Sequence, residues 1–586
     1  MRNDYLIRKL YLYLSFLIVS ILSGLTATVG ILIDNIIVGM YLGEVSLGAM
    51  GIVGPVSLIF SAIGNICSGG GAARAAQALG KDDREGLNRI FTVAVLFAVV
   101  GGLVITCVGL LFTPQLAQLL GAKAELLEPS TQYLRGYFLG ALPTIMLTAL
   151  SGFVKIDGSP RLPLVCIIVM SVANISLDLL MIHVFHLGMF GMALATTISY
   201  VLAVLVACTH FLKKYSTLRL VKPKKLFGEW MQMVVTGAPT AISRICDTLK
   251  VMVLNHMLVL FVGVGAVTAL NVRTQAHSFF MAFSIGIAQA LVPLTGLFYG
   301  EEDTTALKDT LKVTLKIGLF MNVILAVLLF MAAPLFVGLM GVSEPEIKQM
   351  AVNAVRMFAI GVPFALINYI FMSFYQTTKK IAMATMICVL QSLAYVLLIS
   401  ALLIGTLQEN GVWIAFLGAE ILTIFTTIAA ITYQCRKFPT KIMDTMLIKE
   451  GFGSREEDRL EISVGNDMEE LVNIAAGIHK FGRGRNISQK LLQELSLCIE
   501  EIGGNVIRHA FSPGEKKWFD IMILDKEDSL IVRLRDNGAA FNPMNCNDNY
   551  DVQKEKYGLQ IIRGMASDMK YKRTLELNNI IITFKK

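Results

Sequence analysis

The chain has 586 residues, 55% of them apolar and only 16% charged, which excludes a string of water-soluble domains along its whole length. Its net charge of +8 is spread between apolar segments and forms no basic face, which argues against a nucleic-acid partner. Nine cysteines stand singly, without a CxxC pair, as expected in a reduced compartment. Apolar runs of about 20 residues, the length that crosses about 30 Å of hydrocarbon, recur near residues 14–40, 47–76, 91–113, 131–153, 162–184 and 188–212. Six more lie near 231–260, 266–298, 313–333, 352–376, 382–405 and 412–434. The apolar character after MRNDYLIRKL simply continues without a small-residue cleavage site, so the first run is expected to be a span and not a leader.

Lys and Arg occupy alternate connections. Lys81, Arg84 and Arg89 follow the second span, and Lys155 and Arg161 the fourth. Lys213, Lys214, Arg219, Lys222, Lys224 and Lys225 follow the sixth; Lys308, Lys312, Lys379 and Lys380 mark later loops on the same side. The intervening connections hold mainly acids and neutral residues, with Lys123 and Lys348 as their cations. Cationic loops stay in the cytoplasm, so a multi-pass protein of the plasma membrane is expected, with both termini cytoplasmic.

The two halves superimpose with one offset of 220: Gly43 falls on Gly263, Gly80 on Gly300, Asp83 on Asp303, Pro114 on Pro334, Gly121 on Gly341, Pro143 on Pro363 and Gly191 on Gly411. Six spans separate equivalent points, so the halves share one orientation and flank a central cleft. The expected fold class is an all-α polytopic membrane protein of twelve transmembrane helices in two six-helix parallel-repeat lobes, 1–220 and 221–440. A linker, 441–458, leads to a two-layer α/β domain at 459–586.

Charge in hydrocarbon is costly, which makes every intramembrane acid a functional candidate. Asp34 lies in the first span; Asp178 lies in the fifth, four residues after Asn174 and on the same helix face. Their counterparts at offset 220 are Leu254, Leu398 and Ala394, so the scaffold is expected to close without these polar groups. Asp34, Asp178 and Asn174 are therefore read as a proton or cation site. Asp247, with Arg244 one turn away as its expected ion-pair partner, is a candidate for the substrate cleft, together with Asn255, Asn271, Gln289, Gln391 and Glu420.

Several segments in order, DNIIVGMYLGEVSLGAMGI, GGGAARAAQALGKDDREGL, GFVKIDGSPRLPLV, NISLDLLMIHVFHLGMFGMALAT, AQALVPLTGLFYGEED and GVWIAFLGAEILT, make residues 10 to 440 resemble the multidrug and toxic compound extrusion (MATE) family. The resemblance implies two six-helix lobes around an outward-opening cleft and expulsion of amphipathic organic cations driven by H+ or Na+. It places the family's amino-lobe acids on Asp34 and Asp178. The superfamily also includes flippases of lipid-linked sugars, an alternative substrate class.

Beyond the linker, strands are expected near Arg459–Val464, Trp518–Leu524 and Leu530–Arg535, with two more at the end. Helices are expected near Met468–Phe481, from Ser488 as N-cap to His509, and near Tyr557–Ala566. Glu501, Asn505 and His509 recur at i, i+4 and i+8, a polar stripe on one helix face. One carboxamide is enough protein for a phosphate-bound Mg2+, and an acid one turn earlier can orient a hydroxyl for phosphoryl transfer. In LRDNGAAFNP, Asp536 suits an adenine amino group and Gly538 lets a base approach the backbone. Gly558 in YGLQIIRG precedes a helix whose amides can meet phosphates.

This combination resembles the ATP-binding domain of histidine kinases and, more closely, of anti-sigma-factor serine kinases. By that resemblance Asn505 holds Mg2+, Asp536 reads adenine, Glu501 is the catalytic base, His509 belongs to the binding helix, and residues 542–556 form the ATP lid. Departures are Ala539 and Ala540, where a second glycine is common, and the single Gly558. The leading expectation is a monomeric, ion-coupled efflux antiporter with an ATP-binding regulatory tail that meets a cytoplasmic protein. The alternative is a membrane-anchored serine kinase or sensor whose tail acts on a partner.

Overall fold

A computed structural model describes residues 2–586 except 82, 121, 123, 214–215, 224–225, 343, 449–451, 454–457, 484, 486, 512–517, 527, 540–541, 543–552 and 575–576. Lys123, Lys214, Lys224, Lys225, Gly121, Ala540 and most of the expected lid therefore lie outside the described residues. The chain divides into two compact units, Tyr13–Glu301 with Ala306–Ile448, and Met1–Leu12, Glu302–Thr305 with Lys449–Lys586.

Among the described residues, ten helices of the first unit are long and apolar enough to cross a membrane. Spans 1 to 3 are Leu17–Gly43, Gly48–Gly80 and Arg84–Leu111; spans 5 and 6 are Leu162–His183 and Gly188–Leu212. Spans 8 to 12 are Gly265–Gly300, Thr304–Leu339, Pro345–Thr377, Ile381–Leu407 and Glu409–Cys435. Span 4 is the pair Leu127–Leu139 and Ala141–Ile156, bent by 47°. The repeat assigns span 7 to the 36-residue helix Leu226–Phe261, whose Arg244, Asp247 and Lys250 lower its hydropathy.

Local structure keeps the repeat. Gly43 and Gly263, equivalent by offset, both adopt positive φ (82° and 127°) where the first helix of each half breaks from the second, a conformation that glycine accepts without strain. The correspondence fails in one place. Span 11 contains a π-helical turn, Leu390–Ala394, which adds a residue to the register. Ala394 and Leu398 are exposed, while Ser392, Val396 and Ser400 take the buried face. The positions read from the sequence as controls for Asn174 and Asp178 are therefore not their structural counterparts.

The lobes meet where small residues let backbones touch. A Cβ on Gly80 would stand 2.3 Å from the Leu297 carbonyl oxygen and 2.8 Å from Gly300 Cα. Reciprocally, one on Gly300 would stand 2.2 Å from the Gln77 carbonyl oxygen and 2.9 Å from Gly80 Cα. Equivalent glycines thus face each other across the pseudo-twofold axis. Beside them Arg74 pairs with Glu229 at 2.7 Å, and the Gln77 amide donates to the Thr377 carbonyl. This belt lies at the end of the spans from which the Lys/Arg-rich loops emerge.

In the second unit, β1 (Arg459–Gly465), β2 (Trp518–Asp525), β3 (Ser529–Asp536), β4 (Asp568–Thr574) and β5 (Leu577–Lys585) form an antiparallel sheet of order β1-β2-β3-β5-β4. Alternate residues of β3 are buried, the period-2 pattern of a sheet covered on one face. The cover is α1 (Met468–Val472), α2 (Ile474–Gly482), α3 (Gln489–His509) and α4 (Gln553–Met565). Ser488 Oγ accepts from Leu491 N at 3.2 Å to cap α3. The single helix expected over 468–481 is two, broken at Asn473, whose N–H turns back to the carbonyls of Glu469 and Leu471. Leu495, Cys498, Ile499 and Ile502 of α3 join Phe519, Ile521, Val532 and Ile582 in the core. Burial pushes the Cys498 thiol up to about 12, so this cysteine is packing and not a nucleophile.

Replacing Gly80 or Gly300 by Val sets a side chain against backbone that cannot retreat. A loss of about 1–3 kcal/mol is expected, read as a lower melting temperature of the purified protein. Gly338→Ala, where the space is open, should leave the melt unchanged or raised.

Candidate functional site

In the amino-terminal lobe, spans 1 and 5 bring three polar side chains together. Asn174 Nδ2 donates to Asp34 Oδ1 at 2.8 Å and to Asp178 Oδ2 at 2.7 Å. The i, i+4 spacing sets Asn174 and Asp178 on one face; the packing of span 1 supplies Asp34. Asp178 is fully buried, and its Oδ1 meets no donor among the described residues. Asp34 and Asp178 thus each set a carboxyl oxygen within 2.8 Å of one amide nitrogen. Two carboxylates so placed repel unless a proton or a cation lies between them. Tyr133 and Tyr200 lie within electrostatic reach of Asp34, and Tyr137 stacks on Tyr133 and Phe60 at centroid distances of 5.7 and 5.1 Å.

The carboxy-terminal lobe is built differently. Asp247 pairs with Lys250 Nζ at 2.7 Å, not with Arg244, which is exposed. Helical side chains lean toward the N-terminus, so a base three residues after an acid reaches back to it and one three residues before leans away. Glu420 on span 12 accepts from Asn368 Nδ2 of span 10 at 2.7 Å. Gln391 is buried with both amide atoms unpartnered among the described residues, and Asn255 Oδ1 is likewise unpartnered. Asn271 and Gln289 are exposed and outside this cluster. Lys250, Arg273, Asn368 and the three tyrosines were absent from the sequence-based candidates. A lone cation such as Arg273 within an apolar span is as legible as a lone acid.

In the tail, Glu501 and Asn505 share the α3 face that meets α4. A Cβ on Gly558 would fall 2.3 Å from Glu501 Oε1, so α4 lies directly against that carboxylate and a larger residue there would displace the Glu501 side chain. Asn505 is buried; its Oδ1 accepts from Arg508 Nη2 at 2.6 Å, while its Nδ2 has no partner among the described residues. His509 closes the last turn of α3. The register pairs Asp536 with Asn578, and Asp536 Oδ1 accepts from Gly538 N and Asn578 Nδ2, each at 2.8 Å. Asn578 Oδ1 in turn accepts from Tyr571 and from Arg573 Nη1 at 2.8 and 2.9 Å. Gly538 packs where a Cβ would lie 2.1 Å from the Ala510 carbonyl oxygen. Only the register of β3 and β5 discloses Asn578.

The MatE family model matches residues 20–180 and 239–403, more than half of the chain and all three amino-lobe polar residues. The chain belongs to the MATE family. Residues 464–584 match the histidine kinase-like ATPase domain, which makes this a MATE transporter with an ATPase-like tail. Among its relatives, the multidrug export protein MepA of Staphylococcus aureus (strain bovine RF122 / ET3-1) is 26% identical over 356 residues, covering 60% of this chain and 77% of that protein. MepA of Staphylococcus saprophyticus is 24% identical over 354 residues, with the same coverages. A multidrug resistance MATE transporter of the MOP superfamily, solved outward-facing, superimposes with a TM-score of 0.66 at 21% identity, over 71% of this chain and 93% of that one. A MATE structure in the bent conformation gives 0.66 at 20%, over 73% and 96%. This multi-pass membrane architecture is that of the family.

Asn578→Ala strips Asp536 of a buried donor. A loss of about 1–3 kcal/mol is expected, confined to the tail and read as faster amide exchange in β3 and β5 of the full-length protein with the spans unaffected.

Proposed function

We propose that this MATE protein exports amphipathic organic cations in exchange for H+ or Na+, and that its tail binds ATP to regulate the exchange. One observation carries the reading: Asn174 bridges two intramembrane carboxyl groups on different spans. Such a dyad holds one proton, or releases it to hold a cation, because one positive charge satisfies either arrangement. Competition between coupling ion and cationic substrate for that charge yields exchange, provided the state empty of both does not switch sides. The Lys/Arg-rich loops support a cytoplasmic placement of both termini and hence of the tail.

In the tail, the residues present suit a nucleotide at two ends. Asp536, held by Gly538 and Asn578, suits the role of adenine acceptor; Gly558, expected just before a helix, instead lies inside α4, which begins at Gln553, where it packs beside Glu501. Asn505 is the residue that would hold Mg2+, which neutralises phosphate charge; to offer its oxygen it must first release Arg508. A regulatory protein of the cytoplasm is the expected partner of this domain. Contact between Glu501 and Gly558 favours a second reading, in which Glu501 serves as base and the tail phosphorylates a hydroxyl of that partner.

Asp34→Asn and Asp178→Asn should each abolish gradient-driven extrusion of a fluorescent cation from proteoliposomes, while removal of residues 459–586 leaves it measurable. Extrusion that survives both substitutions and still follows the gradient would overturn the antiport reading. Asp536→Asn should weaken binding of a fluorescent ATP analogue by about tenfold or more, because an acceptor becomes a donor at the base. Phosphate transfer that is lost in Glu501→Ala, with no extrusion by the unmodified protein, would favour the kinase.

A further inference from the structure

Arg273 is the least explained charge in the membrane body. It sits in span 8, only 7% exposed, and a guanidinium stays protonated in every setting a protein offers. Its carbon lies 3.5 Å from the centroid of Phe416 on span 12 and 5.1 Å from that of Phe358 on span 10. Beyond these two rings no hydrogen bond or ion pair joins it to any described residue. The neighbouring acids make their hydrogen bonds elsewhere: Asp247 with Lys250 at 2.7 Å, and Glu420 with the neutral amide of Asn368 at 2.7 Å. Both acids are within Coulombic reach of Arg273, yet neither comes within the 4.0 Å of an ion pair.

Removing an ion from water without a hydrogen-bonded partner costs several kcal/mol, more than contact with two rings returns. A guanidinium carbon 3.5 Å from a ring centroid cannot swing through that ring, so its movement is restricted on that side. A guanidinium is a planar fork of donors that binds a carboxylate or phosphate in bidentate fashion. We infer that Arg273, set against Phe416 and Phe358 with its hydrogen-bonding groups unmet, is an anion subsite in the carboxy-terminal lobe that receives a carboxylate or phosphate group of the transported amphiphile.

This inference rests on the export reading and narrows it. The preferred substrate carries an anionic group besides its cation, its positive end toward Asp34 and Asp178 and its negative end on Arg273. The acidic lobe and the basic subsite then read opposite ends of one molecule.

The test uses two dyes that differ only in the charge in question, rhodamine B with its free carboxylate and its ethyl ester. Binding to the purified full-length protein in phosphatidylcholine nanodiscs is read by fluorescence polarisation, with no gradient, so that a failure here is distinct from a failure of extrusion. The unmodified protein should bind the free acid about tenfold tighter than the ester, the scale of a hydrogen bond to a charged group. Arg273→Gln should erase that preference while the ester affinity stays within about twofold, which also shows that the variant is folded. Arg273→Lys, which keeps the charge and loses the fork, should retain only part of the preference, and serves as the informative variant if the Gln form does not fold. Absence of preference in the unmodified protein, or a preference that both substitutions leave intact, overturns the inference. Loss of the preference when phosphatidylglycerol replaces phosphatidylcholine overturns the substrate assignment and gives the subsite to a lipid phosphate.

Discussion

Hydrocarbon does not solvate charge, so an ionised side chain within it must find its counterpart inside the protein or in what the protein carries. Asn174 answers that demand between Asp34 and Asp178, where it gives one proton of its amide to each carboxyl group. Lys250 answers it for Asp247, and Asn368 for Glu420. The helices around these groups are held by small residues and apolar contact.

Duplication gives the two lobes one scaffold, and the polar groups make them unlike. The amino-terminal lobe concentrates acid on two spans and surrounds it with Tyr133, Tyr137 and Tyr200. Its partner distributes both signs of charge over spans 7, 8 and 12, with the neutral Asn368 of span 10 among them, and backs them with phenylalanine. A π-helical turn in span 11 deepens the difference, since it rotates the following residues so that serines and valine face inward where the other lobe presents Asn174 and Asp178. One lobe thus gathers two acids under one amide, whereas the other pairs its acids with a lysine and an amide.

Much of this was legible in the chain itself. Span lengths follow from bilayer thickness, and the offset of 220 exposes the duplication without any structure. Asp34, Asn174 and Asp178 are conspicuous because polar groups are scarce where they stand. What escaped has physical reasons. The preference of Asp247 for Lys250 over Arg244 depends on the lean of side chains along a helix, and the rotation in span 11 depends on one additional residue per turn, which leaves no mark in composition. Asn578 escaped because strand register, and not spacing along the chain, brings it to Asp536. Arg273 was visible and passed over, since acids drew the attention that a buried cation equally warrants. In the tail the order of strands and helices was readable from alternation and capping; the break at Asn473 was not.

Gly80 and Gly300 meet as the same residue of two copies, which is the defining property of an isologous contact. A free-standing six-helix ancestor could have paired with itself through that glycine, both halves obeying one gene. Once the copies were joined, each glycine became hostage to the other: neither can acquire a side chain unless its opposite number yields backbone. The charge patterns of the two halves differ, while at the dyad point both keep the same residue in a self-complementary contact.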